Sequence, residues 1–412
     1  MRILFLTQWF QPEPFFKGLP FARALADRGH DVEVITGFPN YPGGNVYPGY
    51  RVRLFQRETM EGIRVNRVAL YPSHNKLASR RILNYLSFAL FSLLIGPWMV
   101  RRPDVIYVYN LVTLGPSAFL LRLIYRSKVI FDITDLWPGS VTNSGMLKNR
   151  HVIDFLDKYC DQVYQRADRL VVVSPGVKKV LTDRGVTQGN IDVIYNWCDE
   201  NSLKRYDDGS DLTALYGIRG KFNILFAGTM GIVQALDSVL ECAAISQNVL
   251  PDVQFIFVGG GVDRDRLTKK AEGMGLTNVT FLQPQTIEAM GGIFALADAL
   301  IVHLKDDPLF QITIPSKTQA YLYSGKPIIM AMCGDAADLV RDAGAGMLCE
   351  PENPRAMMNA ITALYEMPAI ERQKMGEAGH HYYMKHLSFN QGVNQFERLM
   401  TNLMEKQLNL QC

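Results

Sequence analysis

Two doubly wound α/β domains in tandem are the fold the sequence predicts, and three observations predict it. The chain of 412 residues is longer than one compact core sustains. Short β-branched or aromatic runs alternate with helical patterns through both halves, the mark of parallel sheets with crossover helices. Between the halves, from Asp199 to Gly220, the alternation lapses into polar sequence containing Gly and Asp, as a linker does.

In the first half the expected strands are Arg2–Thr7, Asp31–Thr36, Val105–Tyr109, Val129–Ile133, Arg169–Val173 and Val193–Tyr195. Helices are expected over Gly18–Gly29, from Gly115, and over His151–Ala167. In the second half the strands are Asn223–Ala227, Val253–Val258, Val279–Leu282, Ala299–Leu304 and Pro327–Met330, with a helix from Val233 and a short one that stops at Gly325. The expected domains are 1–200 and 201–385, with 386–412 a C-terminal helix packing back on the first. Ligands of open parallel sheets bind beyond the carboxyl ends of the strands. The functional residues are therefore expected at those ends, facing a cleft between the domains.

Ile82 to Val100 is the one strongly apolar stretch, interrupted by Asn84, Ser87, Ser92 and Pro97 and barely long enough to span a bilayer. It reads as a buried helix of the first domain. The alternative is a helix lying in the membrane interface, flanked by Arg80, Arg81, Arg101 and Arg102 and carrying Trp98.

The composition, 48% hydrophobic and 20% charged, is that of a globular protein. Six scattered cysteines with no C-x-x-C pair argue for a reducing compartment without a disulfide frame or zinc site. Met1 runs straight into a strand pattern, so a cytoplasmic location is expected. The net charge of +3 hides an asymmetry: residues 1–150 carry 19 Lys and Arg against 9 Asp and Glu, the remainder 24 against 31. A basic first half suggests an anionic surface or substrate on that side. Nucleic acid is not the expected partner, because the basic residues are dispersed arginines without an accompanying motif.

The segment Ile314 to Ile329 carries the most chemistry. A helix opening on Pro315, Ser316 and Lys317 offers free backbone N–H groups, a hydroxyl and a fixed cation together, which suits a diphosphate. The same residues also read as an ordinary Pro-initiated, Ser-capped helix with a solvated lysine. Phe226-Ala227-Gly228-Thr229-Met230-Gly231 follows a strand and precedes a helix, so its amides from Thr229 to Ile232 are expected to face a phosphate. Opposite lies Gln8 to Pro14, with Gly18 opening the next helix. In Val129 to Pro138, Asp132 is expected inside. Asp135 lies just past the strand, as a carboxylate for sugar hydroxyls or a proton, or as a helix cap. Ser174-Pro175-Gly176 and Tyr195 to Asp199 read as strand-end turns, structural or cleft-lining. His303 ends a strand at the same rim, as a cleft residue or a satisfied structural histidine. Asp263-Arg264-Asp265 matches D-x-D only superficially, in a charged surface turn, and no metal site is expected.

Taken in order, Phe38 to Pro42, Asp135 to Pro138, Ala167-Asp168-Arg169 with Ser174-Pro175, Ala227 to Gly231 with Gln234, Ala297-Asp298-Ala299, and Pro315-Ser316-Lys317 with Ser324 to Pro327 resemble the retaining, metal-independent sugar transferases of the GT-B fold, family four. The nearest pattern is the bacterial surface-polysaccharide branch often called WbuB-like. The resemblance covers essentially the whole chain and departs at two places. The wider family's two glutamates ahead of the Gly-Lys-Pro turn fall on Ala320 and Ile312 here. Its basic residue after the glycine loop is also missing, since Thr229, Met230 and Ile232 stand there.

The resemblance implies a hexosamine, N-acetylated or deoxy, moved from a UDP-sugar to an undecaprenyl-diphosphate-linked saccharide, without cofactor or metal. It implies a protein lying peripherally on the inner face of the cytoplasmic membrane, against an anionic surface, in O-antigen, capsule or similar assembly. Lys317 becomes the leading diphosphate ligand and, with Asp135, the catalytic pair. Gly18, Gly228, Thr229, Met230, Gly231, Gln283, His303, Pro315, Ser316 and Gln319 are expected at the donor, with Ser316 or Gln319 at the ribose. Gln11, Glu13, Asn40, Tyr41 and Trp137 are expected at the acceptor. A UDP-sugar 2-epimerase of the same fold and a non-catalytic scaffold are the rival readings.

Overall fold

The computed structural model describes residues 1–15, 17–73, 78–137, 139, 149–204 and 220–409. The chain divides into two compact units. Residues 1–173, 177–194 and 393–412 form the first, and 174–176 with 195–392 form the second.

The first unit holds eight strands: β1 (Arg2–Leu6), β2 (Asp31–Gly37), β3 (Phe55–Met60), β4 (Ile63–Val68), β5 (Val105–Tyr109), β6 (Lys128–Ile133), β7 (Arg169–Val172) and β8 (Ile191–Val193). Their order across the sheet is β3-β4-β2-β1-β5-β6-β7-β8, parallel except for the β3–β4 hairpin. The crossover helices are α1 (Leu19–Ala26), α2 (Ala78–Met99), α3 (Gly115–Tyr125), α4 (Arg150–Arg166) and α5 (Pro175–Asp183). Central strands such as β5, five residues all buried, read as continuous apolar runs because helices cover both faces. The last strand is Ile191–Val193 rather than the expected Val193–Tyr195.

The hairpin was not expected from the sequence, for a physical reason. β3 (FQRETM) alternates exposed and half-buried residues at the sheet edge, and β4 carries Arg67, which is fully buried. The Arg67 guanidinium donates to the carbonyls of Gly37 (2.8 Å) and Gln11 (2.6 Å) and bridges Glu58 at 2.5 Å. A polar strand was hidden by an arginine that satisfies backbone acceptors inside the unit.

Helix α2 is not buried throughout, contrary to its first reading as a buried helix. Asn84, Tyr85, Phe88, Ser92 and Met99 face inward, while Leu83, Leu86, Leu90, Leu94 and Trp98 face out. The spacing of the outward set follows one side of a helix.

The second unit holds β9 (Phe222–Ala227), β10 (Val253–Val258), β11 (Val279–Leu282), β12 (Ala299–His303), β13 (Ile328–Ala331) and β14 (Gly346–Cys349), all parallel, in the order β11-β10-β9-β12-β13-β14. The order reverses between β9 and β12, which is where a ligand crevice opens in such sheets. Its helices are α6 (Asp237–Val249), α7 (Arg264–Gly273), α8 (Ile287–Ala295), α9 (Pro308–Gln311), α10 (Ser316–Ser324), α11 (Asp335–Asp342), α12 (Pro354–Glu366) and α13 (Ala369–His386). The helix expected from Val233 begins instead at Asp237, after a single 3₁₀ turn over Ile232–Gln234. No element is named from the sequence for β14, α12 or α13.

The last helix, α14 (Phe389–Asn409), lies with the first unit from residue 393 on. Phe396 meets Phe21 at 5.1 Å and Tyr107 at 5.6 Å, and Glu397 pairs with Arg28. The unit boundary falls at 195, ahead of the expected linker. Glu200 accepts from the Tyr383 hydroxyl (2.7 Å) and the Phe389 N–H (2.6 Å), and Trp197 packs edge-on against Phe389. Most of that expected linker, residues 205–219, lies outside the described residues. The turn 174–176 joins the second unit because Ser174 Oγ donates to the Ile312 carbonyl and the Gly176 N–H to Asp335, both at 2.7 Å.

Candidate functional site

In the second unit, β9 ends in Phe226 and Ala227, and the chain turns at Gly228 with φ +130°. That loop lies directly on the glycine run after β10. A Cβ on Gly259 would stand 2.1 Å from the Gly228 carbonyl oxygen, and one on Gly261 would stand 2.2 Å from that of Met230. Only glycine permits this approach at φ +139° and +143°. The contact consumes some of the amides expected to face a phosphate. The N–H of Met230 donates to the Gly260 carbonyl (2.7 Å) and that of Gly231 to Gln234 Oε1 (2.9 Å). Met230 is fully buried, so the expectation that it contacts the donor is corrected to a packing role. Gly228 and Thr229 are exposed at the crevice.

Helix α10 begins at Ser316 with Pro315 as its N-cap residue and ends at Gly325 in the left-handed region, φ 72°. Ser316 is exposed in the first turn. One turn apart on the same face stand Lys317 and Tyr321. The Tyr321 hydroxyl accepts the Ala227 N–H at 2.8 Å and donates to the Ala227 carbonyl at 3.2 Å. This ties α10 to the end of β9 and sets Lys317 over it. The Lys317 ammonium lies 3.6 Å from the centroid of the Phe226 ring, and a Cβ on Gly228 would be 3.5 Å from it.

Although Lys317 as a residue is partly exposed, its ammonium is sealed from solvent and has no hydrogen-bond partner among the described residues. Burial pushes its pKa down to about 7. A ring face gives a desolvated ammonium attraction on the order of 2 kcal/mol, less than hydration supplied. The cation therefore stands in want of an anion, at the start of a helix and beside a glycine turn.

Three other expected donor contacts change role. His303 is fully buried; its Nδ1 is 2.7 Å from the Gln234 carbonyl and its Nε2 accepts the Glu352 N–H at 3.0 Å. Both ring nitrogens are occupied, so it ties the loops after β9 and β14 together. Gln319, also buried, donates its amide to the carbonyls of Pro315 (2.9 Å) and Ser316 (3.1 Å), bracing the helix start instead of reaching outward. Gln283 is exposed past β11, the edge strand, two positions from β9, and the structure does not bring it to Lys317.

In the first unit, Asp135 follows β6 and is exposed. Its carboxylate accepts from Asn110 Nδ2 (2.9 Å) and its N–H donates to Asn110 Oδ1 (3.1 Å), with Asn110 itself at φ +62° after β5. The pair fixes a carboxylate at the carboxyl ends of two adjacent strands. Asp132 is buried as expected, in an ion pair with Lys17 at 2.7 Å and a 2.5 Å bond from Tyr107.

The expected acceptor residues divide. Tyr41 and Trp137 are half-buried at the rim, Tyr41 against Phe15 at 5.2 Å and Trp137 edge-on to Tyr85 at 6.2 Å. Pro138 lies outside the described residues. Glu13 is corrected to an internal clamp: buried, it accepts the N–H groups of Asn40 (2.8 Å), Tyr41 (2.7 Å) and Phe10 (3.2 Å). Desolvation outweighs those bonds and raises its pKa to about 7. Asn40 is buried, bonded to Phe38 and Asn84. Gln11 caps α1 by accepting the Leu19 N–H at 2.5 Å, and Gly18 leaves room for that side chain, since its Cβ would lie 2.1 Å from Gln11 Oε1. Gln11 and Gly18 thus close the α1 start that was expected to serve the donor.

Sequence reasoning missed Phe226, Tyr321, Lys17 and Arg67. The i, i+4 spacing of Lys317 and Tyr321 was a usable signal. For Lys17 there was none, because its partner is 115 residues away. Among the described residues no group of three His, Cys, Asp or Glu side chains is placed to hold a metal ion.

Residues 19–197 match the family model described as Glycosyl transferase 4-like domain, and residues 216–382 the model described as Glycosyl transferases group 1. Over 361 residues, 84% of this chain and 86% of the relative, the chain is 27% identical to WcaI of Escherichia coli (strain K12), named as a colanic acid biosynthesis glycosyl transferase. It is 23% identical over 71% of its length and 74% of the relative's to the glycosyltransferase WbjE of Pseudomonas aeruginosa. Among solved structures, Anabaena HepE in complex with UDP and glucose superposes with a TM-score of 0.67 at 16% identity, covering 97% of this chain and 99% of that one.

Proposed function

The chain belongs to the GT-B glycosyltransferases of family four, and from that premise we propose that it moves an N-acetylated or deoxy hexosamine from a UDP-sugar to a lipid-diphosphate-linked saccharide. The observation that carries this reading is the buried, unpartnered ammonium of Lys317 at the start of α10, beside the Gly228 turn. A diphosphate there would gain a charge-assisted contact together with the helix-start amides.

The reaction retains configuration. The acceptor hydroxyl attacks the anomeric carbon from the face that UDP leaves, the bond from that carbon to the diphosphate oxygen breaks, and the departing diphosphate takes the hydroxyl proton. The protein's task is then to hold charge on the departing phosphates, through Lys317 and the Thr229 amide, where a preorganised donor is worth about 3–4 kcal/mol. No metal is assigned a part. Asp135, held by Asn110, orients a sugar hydroxyl, with Tyr41 and Trp137 offering ring faces to the acceptor. Ser316, exposed in the first turn, is the remaining candidate for the ribose.

The name of WcaI supports surface polysaccharide as the product, and the carrying motifs favour the WbuB-like branch. HepE, whose structure holds UDP and glucose, supports the nucleotide. The protein works on the inner face of the cytoplasmic membrane, with the outward stripe of α2 and its flanking arginines on an anionic bilayer. Incubating a panel of UDP-sugars with and without an undecaprenyl-diphosphate saccharide, followed by mass spectrometry, tests the reading. It predicts an acceptor product heavier by one hexosamine. Epimerised UDP-sugar without acceptor, or no turnover under either condition, contradicts it.

A further inference from the structure

The outward stripe of α2 does not end at the helix. Around Trp98, 84% exposed, two other chain segments bring apolar side chains into the open: Leu54 and Phe55 at the start of β3, and Leu123 with Ile124 near the end of α3. Their proximity to Trp98 is fixed by hydrogen bonds. Arg57 Nη2 lies 3.5 Å from the carbonyls of both Trp98 and Met99. The Tyr125 hydroxyl donates to the Pro97 carbonyl at 2.6 Å, and Arg102 Nε donates to the Tyr125 carbonyl at 3.3 Å. Side chains alternate along a strand, so Phe55 shares the Arg57 face of β3, the face toward Trp98, while Glu58 points the other way to Arg67.

Charge is sorted in the same manner. Arg51, Arg53, Arg101, Arg102 and Arg126 are exposed. The neighbouring carboxylate of Glu33 is buried and accepts the Arg101 N–H at 3.1 Å. Glu61, exposed at the hairpin turn, stands about 20 Å along the strand from Phe55. Exposed leucines and aromatics beside arginines that form no ion pair among the described residues, with a tryptophan at their centre, match the boundary between headgroups and acyl chains of an anionic bilayer. A spanning arrangement is ruled out for α2 by its inner face, where Asn84, Tyr85 and Phe88 are buried in the first unit. Edge-to-edge pairing of β3 with a second copy is opposed by the arginines at its start.

We propose that the first unit docks on anionic phospholipid through a three-segment surface centred on Trp98: the α2 stripe, residues 51–57 and the end of α3. The proposal deepens, and rests on, the reading of α2 as the membrane contact. It sets the depth of insertion at the C-terminal end of α2 and makes an edge strand part of the anchor.

Co-sedimentation of the full chain with phosphatidylglycerol vesicles and with phosphatidylcholine vesicles tests it, alongside quenching of Trp98 by brominated phospholipid. The wild type binds phosphatidylglycerol vesicles, more weakly as salt rises, with tryptophan emission that is quenched and a quenchable component that Trp98→Phe removes. Replacing Leu54 and Phe55 by Ser, or Leu123 and Ile124 by Ser, lowers vesicle affinity on the order of tenfold while UDP binding stays unchanged. Wild-type binding that both double variants retain in full, with Trp98 unquenched, overturns the three-segment surface and leaves the α2 reading standing. No vesicle binding by the wild type overturns both. Concentration-dependent dimerisation abolished by the same substitutions, without vesicle binding, assigns the surface to a second copy and also overturns the proposal.

Discussion

The hydroxyl of Tyr321 bonds both backbone groups of Ala227, accepting its N–H at 2.8 Å and donating to its carbonyl at 3.2 Å. One oxygen thus locks the helix that carries Lys317 to the strand that carries Phe226. Tyr321→Phe leaves a buried N–H and a buried carbonyl without their partner, a loss of about 1–3 kcal/mol for each such group. Urea unfolding is expected to show that loss, and KM for the nucleotide sugar to rise because Lys317 is no longer held over the crevice. Unchanged stability and KM would mean that the pin does not position the lysine.

The lysine carries a stability signature of its own. In the unfolded chain its pKa is the ordinary 10.5; in the folded, ligand-free protein burial lowers it to about 7. Between those values the unfolded state binds more protons, so stability rises with pH across that window. Lys317→Met, which keeps the stem and removes the charge, is expected to raise the melting temperature at pH 6.5 while transfer is lost. A fall in melting temperature would show that the ammonium is satisfied in the free protein.

Nucleotide binding should reverse that shift. A diphosphate beside the ammonium favours the charged form, so UDP binding at pH 8 is expected to take up a proton. Calorimetry in buffers of different ionisation enthalpy measures it, and the uptake should vanish in Lys317→Met.

Glu13 holds the loops after β1 and β2 together through three backbone N–H groups. Glu13→Ala leaves those donors without a protein partner, and a buried donor so deprived costs about 1–3 kcal/mol. Lower stability is expected together with a weakened acceptor KM and little change for UDP. An effect confined to UDP would move Glu13 to the donor side.

The architecture was readable in the chain because parallel strands buried on both faces are apolar runs, as in Val105–Tyr109 and Val253–Val258. The hairpin was not, since Arg67 and Glu58 make their strands look like surface while the guanidinium serves backbone carbonyls inside. At the site, the helix start over Pro315, Ser316 and Lys317 was legible from local sequence; the sealing of the lysine's ammonium was not, since the same residues also read as a capped helix with a solvated lysine. Glu13, Asn40, Gln11 and Gln319, expected at a ligand, are polar side chains that satisfy nearby backbone groups. Their type is the same whether they face a ligand or a neighbouring loop, and only the fold distinguishes the two.

Chelation should leave transfer intact. No described cluster of acidic, His or Cys side chains is arranged for a metal, and Asp263 is held instead by Arg266 at 2.6 Å. Loss of activity in EDTA that magnesium or manganese restores would contradict the proposed grip on the diphosphate.

The central claim is that the sealed ammonium of Lys317 is the diphosphate ligand, and UDP itself probes it most directly. Isothermal titration of UDP into the wild type and Lys317→Ala at pH 6.5, with circular dichroism to establish that both are folded, isolates that contact. The expected result is a loss of affinity on the order of a hundredfold, as removal of a charge-assisted contact in a water-shielded site produces. Equal UDP affinity in the two proteins would contradict the account.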